Sequence, residues 1–167
     1  MENEIFSGKI LRLTTEQMED ILVERVYIVP SVHTILVTDE GLIRLTTEKK
    51  IGKDEVKEKF QAGIIEQNEE PLETAKRELL EELGLVAKEW QEFERFISNE
   101  TVDTYRVYYI ARGLSQVSEE TDGEVLSTED YTLEELYERA MKGDYSATTQ
   151  AILARLHYLV QKGELVL

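Results

Sequence analysis

The chain contains no cysteine, only two prolines and no apolar run long enough to span a membrane. The absence of cysteine excludes disulfide bonds and metal sites built from thiolates. No segment has the charged and apolar pattern of a signal peptide. We therefore expect a cytoplasmic protein that has no membrane partner.

Basic residues are also scarce relative to acidic ones. The chain has 19 lysines and arginines against 35 aspartates and glutamates, for a net charge of −16 at pH 7. This charge opposes nonspecific binding to a nucleic-acid backbone, so we expect no nucleic-acid partner. It does not exclude a small phosphorylated substrate, because a bound metal ion supplies positive charge locally.

The 167 residues fit one domain, residues 1–167, with no linker, repeat or low-complexity segment. The runs that favour strands are 5–13, 21–29, 31–38, 42–46, 90–98 and 105–113. Residues 49–59 are polar and predict a loop. Two helices are predicted at the end, over 133–141 and 146–162. With the helix described next, this order predicts an α/β (α+β type) fold, in which helices cover a mixed sheet as an α/β/α sandwich.

The most informative segment reads GIIEQNEEPLETAKRELLEELGL, residues 63–85. Residues three and four apart are neighbours on a helix, so Glu78, Glu81 and Glu82 share one helix edge. An adjoining apolar stripe, predicted to pack on a sheet, consists of Leu72, Ala75, Leu79 and Leu83. Proline suits the first helical turn and glycine the residue after the last, and Pro71 and Gly84 occupy those positions.

Three carboxylates this close repel one another. Hard divalent cations with oxygen ligands relieve that repulsion, and Mg²⁺ fits best, with Mn²⁺ as a substitute. Mg²⁺ usually binds phosphate oxygens of the substrate as well. The pattern therefore predicts a metal-dependent enzyme acting on a phosphate chain, and the alternative is a solvated acidic helix without chemistry.

The same segment resembles the Nudix box, G-x5-E-x7-R-E-U-x-E-E-x-G-U, in which U is apolar. The residues at its fixed positions are Gly63, Glu69, Arg77, Glu78, Leu79, Glu81, Glu82, Gly84 and Leu85. Every fixed position therefore matches. The resemblance implies a Nudix-like sandwich and hydrolysis of a nucleoside diphosphate linked to another group.

The resemblance extends to the ADP-ribose pyrophosphatase branch through the opening residues 6–10, the two β-rich runs before the box, and the strand, acidic loop and helices after it. It implies cleavage of ADP-ribose to AMP and ribose 5-phosphate. In that branch N-terminal strands are exchanged between subunits, so a homodimer with residues 1–30 at its interface is implied. The alternatives are a Nudix hydrolase for another nucleotide sugar or a dinucleoside polyphosphate, and a sensor that binds a nucleotide without cleaving it.

Residue roles follow from the resemblance. Glu78, Glu82 and the backbone carbonyl of Ala62 are expected to bind metal. Glu81 either binds metal or supports the ligands from behind them. Arg77 completes the catalytic set and is expected to orient the glutamates, together with the glutamate at position 69.

A loop after the box supplies the water-activating glutamate in the ADP-ribose branch. The corresponding loop here is predicted over residues 115–128. Glu124 fits the role best and Glu120 is the second candidate. The alternative is a solvated acidic loop that takes no part in the reaction.

Substrate contacts are predicted at four positions. Phe6 and Tyr27 are candidates to stack on the adenine, whereas aromatic strand residues usually pack. Lys49 and Lys50 are candidates to meet a phosphate, where the branch commonly has an arginine. The chain also has Lys59-Phe60-Gln61-Ala62-Gly63 in place of Glu-x-Pro-Ala-Gly, and Thr101 in place of a proline after the box.

Overall fold

A computed structural model describes residues 2–50 and 52–167. The strands are β1 (Glu2–Ser7), β2 (Leu11–Met18), β3 (Ile21–Ile28), β4 (Ser31–Val37), β5 (Ile43–Lys49), β6 (Val56–Lys59), β7 (Gln61–Ile64), β8 (Leu85–Asn99), β9 (Val102–Gln116) and β10 (Val125–Tyr131). The helices are α1 (Pro71–Leu83), α2 (Leu133–Lys142) and α3 (Ala147–Gln161). All of these strands join one mixed sheet in the order β1-β2-β3-β9-β4-β5-β10, with β6, β7 and β8 paired to β5, β4 and β9.

Strand β9 is the centre of the sheet. It pairs antiparallel with β8 along one side and parallel with β4 and then β3 along the other. Its middle residues Val107, Tyr108, Tyr109 and Ile110 are all buried, and they alternate between the two faces. A strand buried on both faces reads as a continuous apolar run, which is the pattern of this segment.

Helices cover both faces of the sheet. One face packs Ile35, Phe60 and Tyr108 against α2 and α3. The opposite face packs Val32, Val107 and Tyr109 with α1, and a neighbouring cluster there contains Leu36, Leu79 and Ala111. The predicted α/β/α sandwich with a mixed sheet is therefore confirmed.

Strands β1, β2 and β3 form an antiparallel arm, which we call the N-terminal arm. The arm meets the rest of the sheet through the parallel pairs Val26–Val102 and Tyr27–Asp103. The prediction of one strand over residues 5–13 was wrong, because Gly8 donates its N–H to the Leu11 carbonyl at 2.8 Å and turns the chain there.

Helix α1 has the predicted limits. Pro71 begins it, and Gly84 ends it with a φ of +63°, the left-handed conformation that glycine adopts without strain. Outside the helices, the chain holds more strand than the sequence indicates. The predicted loop over 49–59 contains β6, and the predicted loop over 115–128 gives its two ends to β9 and β10. No helix among residues 2–50 and 52–167 is both long and apolar enough to cross a membrane.

Candidate active site

Strand β7 and helix α1 form one wall of the candidate site. Gly63, in β7, lies so close to Glu78 that a Cβ added there would overlap the Cγ of the glutamate. The absence of a side chain at Gly63 therefore lets the Glu78 carboxylate lie against the β7 backbone, next to Ala62. The two predicted oxygen ligands Glu78 and Ala62 are brought together by this contact.

Arg77 joins the acidic residues of the box. Its Nη1 donates to Glu78 Oε1 and to Glu81 Oε2, both at 2.9 Å. Its Nε and Nη2 donate to the two oxygens of Glu69 at 2.9 and 3.0 Å, a paired geometry that suits guanidinium and carboxylate. These hydrogen bonds lower the pKa of Glu69 to about 2. The guanidinium thus holds three box glutamates on one side of α1.

Glu82 lies beneath the helix, next to the sheet. Only 4% of the residue is exposed, and burial raises the pKa of its carboxyl to about 8. Its Oε2 accepts a hydrogen bond from Gln61 Nε2 at 3.0 Å. The charges of Glu48 and Lys59 also act on it, and these two side chains form an ion pair of 2.6 Å. Glu82 therefore sits in a buried polar group made by β5, β6 and β7.

The loop that follows β9, residues 117–124, is attached to the end of α1. The N–H groups of Val117 and Ser118 donate to the Gly84 carbonyl, at 2.9 and 3.2 Å. Asp122 donates its N–H to the Glu81 carbonyl at 3.0 Å. A Cβ at Gly84 would overlap the Ser118 carbonyl oxygen, so the last glycine of the box makes room for the loop.

The two candidate bases on this loop are placed differently. Burial raises the pKa of Glu78, and the charges of Glu81 and Glu124 add to that effect. Glu124 is thus close enough to Glu78 for the two carboxylates to repel each other electrostatically. Both side chains are exposed, and both backbone N–H groups donate within the loop itself, Glu120 to Ser118 Oγ at 3.0 Å and Glu124 to Asp122 Oδ1 at 2.9 Å.

The remaining predicted substrate residues lie elsewhere. Tyr27 donates its hydroxyl to Glu2 at 2.8 Å, with Arg12 over its ring, so these side-chain contacts stay inside the N-terminal arm. Phe6 lies on β1 at the far edge of the sheet and is 52% exposed. Lys49 and Lys50 lie at the end of β5, where Lys50 pairs with Glu55. These residues are not brought to the box, and their roles stay predictions.

Three residues at the site were missed by the sequence reasoning. They are Glu48, Lys59 and Gln61, which surround Glu82. Lys59 and Gln61 stand where the family has its glutamate and proline, and that departure was the available signal. The lysine whose charge acts on Glu82 is therefore Lys59, rather than Lys49 or Lys50.

The donors of the candidate site are carboxylate and carbonyl oxygens. Among the described residues, no group of three acidic or histidine side chains is arranged to hold a metal ion with these side-chain positions, and Arg77 donates hydrogen bonds to Glu78 and Glu81. The donors themselves are the hard oxygens that Mg²⁺ and Mn²⁺ take, and burial of Glu78 and Glu82 disfavours their charged forms without a cation. The donor chemistry fits the ion, provided that Glu78 and Glu81 release Arg77 and bind the ion instead.

Comparisons with known proteins agree with this geometry. The family model for the NUDIX domain matches residues 28–151, well over half of the chain. A solved structure titled "Crystal structure of ADP compounds hydrolase" superposes with a TM-score of 0.76 over 99% of this chain and 95% of that one, at 18% identity, a likeness that shows the fold. No curated protein sequence matches the chain. With every fixed residue of the box in place on this fold, the chain belongs to the Nudix family and is a Nudix hydrolase.

Proposed function

We propose that the protein is a metal-dependent pyrophosphatase for a nucleoside diphosphate linked to a sugar, with ADP-ribose as the substrate. The main support is the position of the Glu78 carboxylate, which lies against the β7 backbone at Gly63 and within the electrostatic range of Glu124. The loop that carries Glu124 is hydrogen-bonded to the end of α1. The products are AMP and ribose 5-phosphate. The similar solved structure is named for action on ADP compounds, which supports this choice of nucleotide.

The placement of the residues supports the following roles. Glu78, Glu82 and the Ala62 carbonyl hold divalent metal, with Glu81 as a further ligand or a support. Mg²⁺, or Mn²⁺ in its place, would neutralise the pyrophosphate charge when bound and make the phosphorus more electrophilic. Glu124 accepts a proton from the attacking water or orients it.

Arg77 has a different role in this proposal. It already donates to Glu69, Glu78 and Glu81, so it keeps the box carboxylates within reach of one another. Ligand carboxylates are commonly oriented by such partners. Arg77 is therefore a positioning residue rather than one that touches the reacting atoms.

We also propose a homodimer formed through the N-terminal arm. Apolar side chains of the arm are exposed, among them Ile5, Phe6, Met18, Ile21 and Leu22. Exposed apolar groups of this kind suit a protein interface. Sedimentation equilibrium of the wild type and of Ile21→Glu tests this: a dimer weakened by the charge supports the interface, and a wild-type monomer contradicts it. A cytoplasmic location and the absence of a nucleic-acid partner stay predictions from the sequence.

A substrate panel tests the proposed reaction. ADP-ribose, other nucleotide sugars and dinucleoside polyphosphates are incubated with Mg²⁺ or Mn²⁺, and the products are separated by chromatography. We expect selective conversion of ADP-ribose to AMP and ribose 5-phosphate. The matched variant Glu82→Gln should keep the fold and lose nearly all turnover; near-normal activity in this variant contradicts the metal assignment.

The other outcomes of the panel distinguish the alternatives. Preferential cleavage of a different nucleotide sugar or a dinucleoside polyphosphate retains the box chemistry and replaces the substrate. Tight binding of ADP-ribose with no turnover of any compound contradicts the enzymatic proposal and favours a nucleotide sensor.

A further inference from the structure

Gln61 is a fully buried polar residue directly under the box helix. It begins β7 and pairs in register with Thr34 of β4, so both side chains lie on the face of the sheet that α1 covers. Its Nε2 crosses from the strand to the helix and donates to Glu82 Oε2 at 3.0 Å. One hydrogen bond therefore ties a box carboxylate to the strand that also carries Ala62.

The hydrogen bond from Gln61 is direct, whereas the other polar neighbours of Glu82 act through their charge. Lys59 opposes the effect of burial on Glu82, but its ammonium is paired with Glu48 at 2.6 Å. Glu48 repels the Glu82 carboxylate. Gln61 is thus the group that fixes where one oxygen of Glu82 points.

Burial of the Gln61 amide at this position is energetically unfavourable. Within the described residues, Gln61 Oε1 and Thr34 Oγ1 are both inaccessible to solvent and have no hydrogen-bond partner. A buried polar atom without a partner destabilises the fold, so an apolar side chain of the same length would suit the packing better. The hydrogen bond to Glu82 is the one interaction of the side chain that explains an amide here.

We propose that Gln61 is a positioning residue for metal binding: it holds Oε2 of Glu82 under the helix so that the other carboxylate oxygen is presented to a divalent ion. The inference rests on the proposed function, since it requires Glu82 to be a ligand. Hydrogen-bond partners of metal ligands orient them, and losing such a partner typically weakens metal binding by about 10–100-fold.

The test measures Mn²⁺ binding directly, by electron paramagnetic resonance of the free ion and without substrate. Gln61→Met keeps a similar length and loses both polar groups. We expect its dissociation constant for Mn²⁺ and the Mn²⁺ concentration that gives half-maximal activity both to rise about 10–100-fold. Thr34→Val is the matched control, because it removes the neighbouring hydroxyl from the same buried pair and should leave Mn²⁺ affinity unchanged.

The outcomes separate this inference from the proposed function. Equal or tighter Mn²⁺ binding by Gln61→Met overturns the positioning role and leaves the function in place. A wild type that binds no Mn²⁺ overturns the function and this inference with it. Equal weakening by Thr34→Val also overturns the positioning role, because it shows a general effect of disturbing the buried pair.

A second measurement needs no variant and covers the case in which Gln61→Met does not fold. The side-chain NH₂ signals of Gln61 are followed by ¹⁵N-edited nuclear magnetic resonance while Mg²⁺ is added to the wild type. We expect both signals to shift with the midpoint of metal binding. Signals that stay fixed while Mg²⁺ binds contradict the inference.

Discussion

The side chain of Glu78 lies against the bare backbone of Gly63, in the space that a Cβ would occupy. The contact joins the first glycine of the box to Glu78, one of the glutamates proposed to bind metal, 15 positions away in the sequence. It gives the glycine a physical role at a position where the chain needs no unusual backbone angle.

Gly63→Ala is expected to displace the Glu78 carboxylate and to lower both turnover and Mn²⁺ affinity. A double-mutant cycle checks the cause by measuring the free energy of unfolding. The destabilisation from Gly63→Ala should largely disappear in a Glu78→Ala background, because the overlapping atoms are then absent. An undiminished destabilisation there would show that Glu78 is not what the new methyl group meets.

Local signals explain why the box helix was predicted with its correct limits. Pro71 and Gly84 stand at its two ends, and the apolar stripe faces the sheet as its spacing indicates. Strand β10 was not predicted, since most of its residues are exposed and polar. It is held by distant partners, including the pairing of Asp130 with Arg44 through two hydrogen bonds of 2.7 Å.

The environment of Glu82 was beyond the reach of sequence periodicity. Helical spacing places Glu82 on the edge with Glu78 and Glu81, and it does not say that the side chain turns under the helix. That direction depends on Gln61, 21 residues away along the chain, and on the pair Glu48–Lys59. Register between strands, rather than any local pattern, brings these groups together.

Two glycines that end helices offer a matched comparison. Gly84 and Gly143 both have left-handed φ values, +63° and +89°, so alanine at either should cost about 1–2 kcal/mol. Gly84→Ala should cost more, because its methyl group would also meet the Ser118 carbonyl, whereas nothing lies within 4 Å at Gly143. Denaturant unfolding measures both, and activity assays should show a loss of kcat in Gly84→Ala alone. Equal effects would exclude a role for the loop contact.

The two loop glutamates should differ in their effect on the reaction. Glu124 is the proposed base, because its charge acts on the box residue Glu78. Glu124→Gln is therefore expected to lower kcat by about 10²–10⁴-fold, the usual contribution of a general base. Glu120→Gln, four positions earlier on the same loop, should leave kcat near the wild-type value. Steady-state kinetics at saturating Mg²⁺ compare them. A larger loss in Glu120→Gln would reverse the assignment.

Stability without metal should depend on pH through Glu82. Burial raises the pKa of this carboxyl from 4.5 to about 8 in the folded protein. Between these values the folded chain holds a proton that the unfolded chain has released, so the free energy of unfolding falls as pH rises. The slope from this group approaches about 1.4 kcal/mol per pH unit within the window.

Urea unfolding from pH 4.5 to 8.5 in the presence of a chelator measures this slope. Glu82→Gln carries no titratable group at the position, so its curve should be flatter than that of the wild type and should lie above it near pH 8. Parallel curves for the two proteins would show that Glu82 ionises normally. Mn²⁺ binding by the wild type should tighten over the same window, because binding displaces the proton.

The pairing of β4 with β9 places a constraint on how the chain folds. Val32 and Val107 are partners in register although 75 residues separate them, and the box helix lies between them in the sequence. Closing so long a segment loses conformational entropy before the strand contacts contribute any favourable free energy. Pairings of this kind therefore tend to form slowly. The hydrogen bonds of helix α1 join residues that are close together in the sequence. The polar group beneath it, which contains Gln61 and Glu82, requires the pairing of β7 with β4. The helix that carries the carboxylates is thus local in sequence, whereas the hydrogen bond that orients Glu82 forms only when β7 packs against that helix.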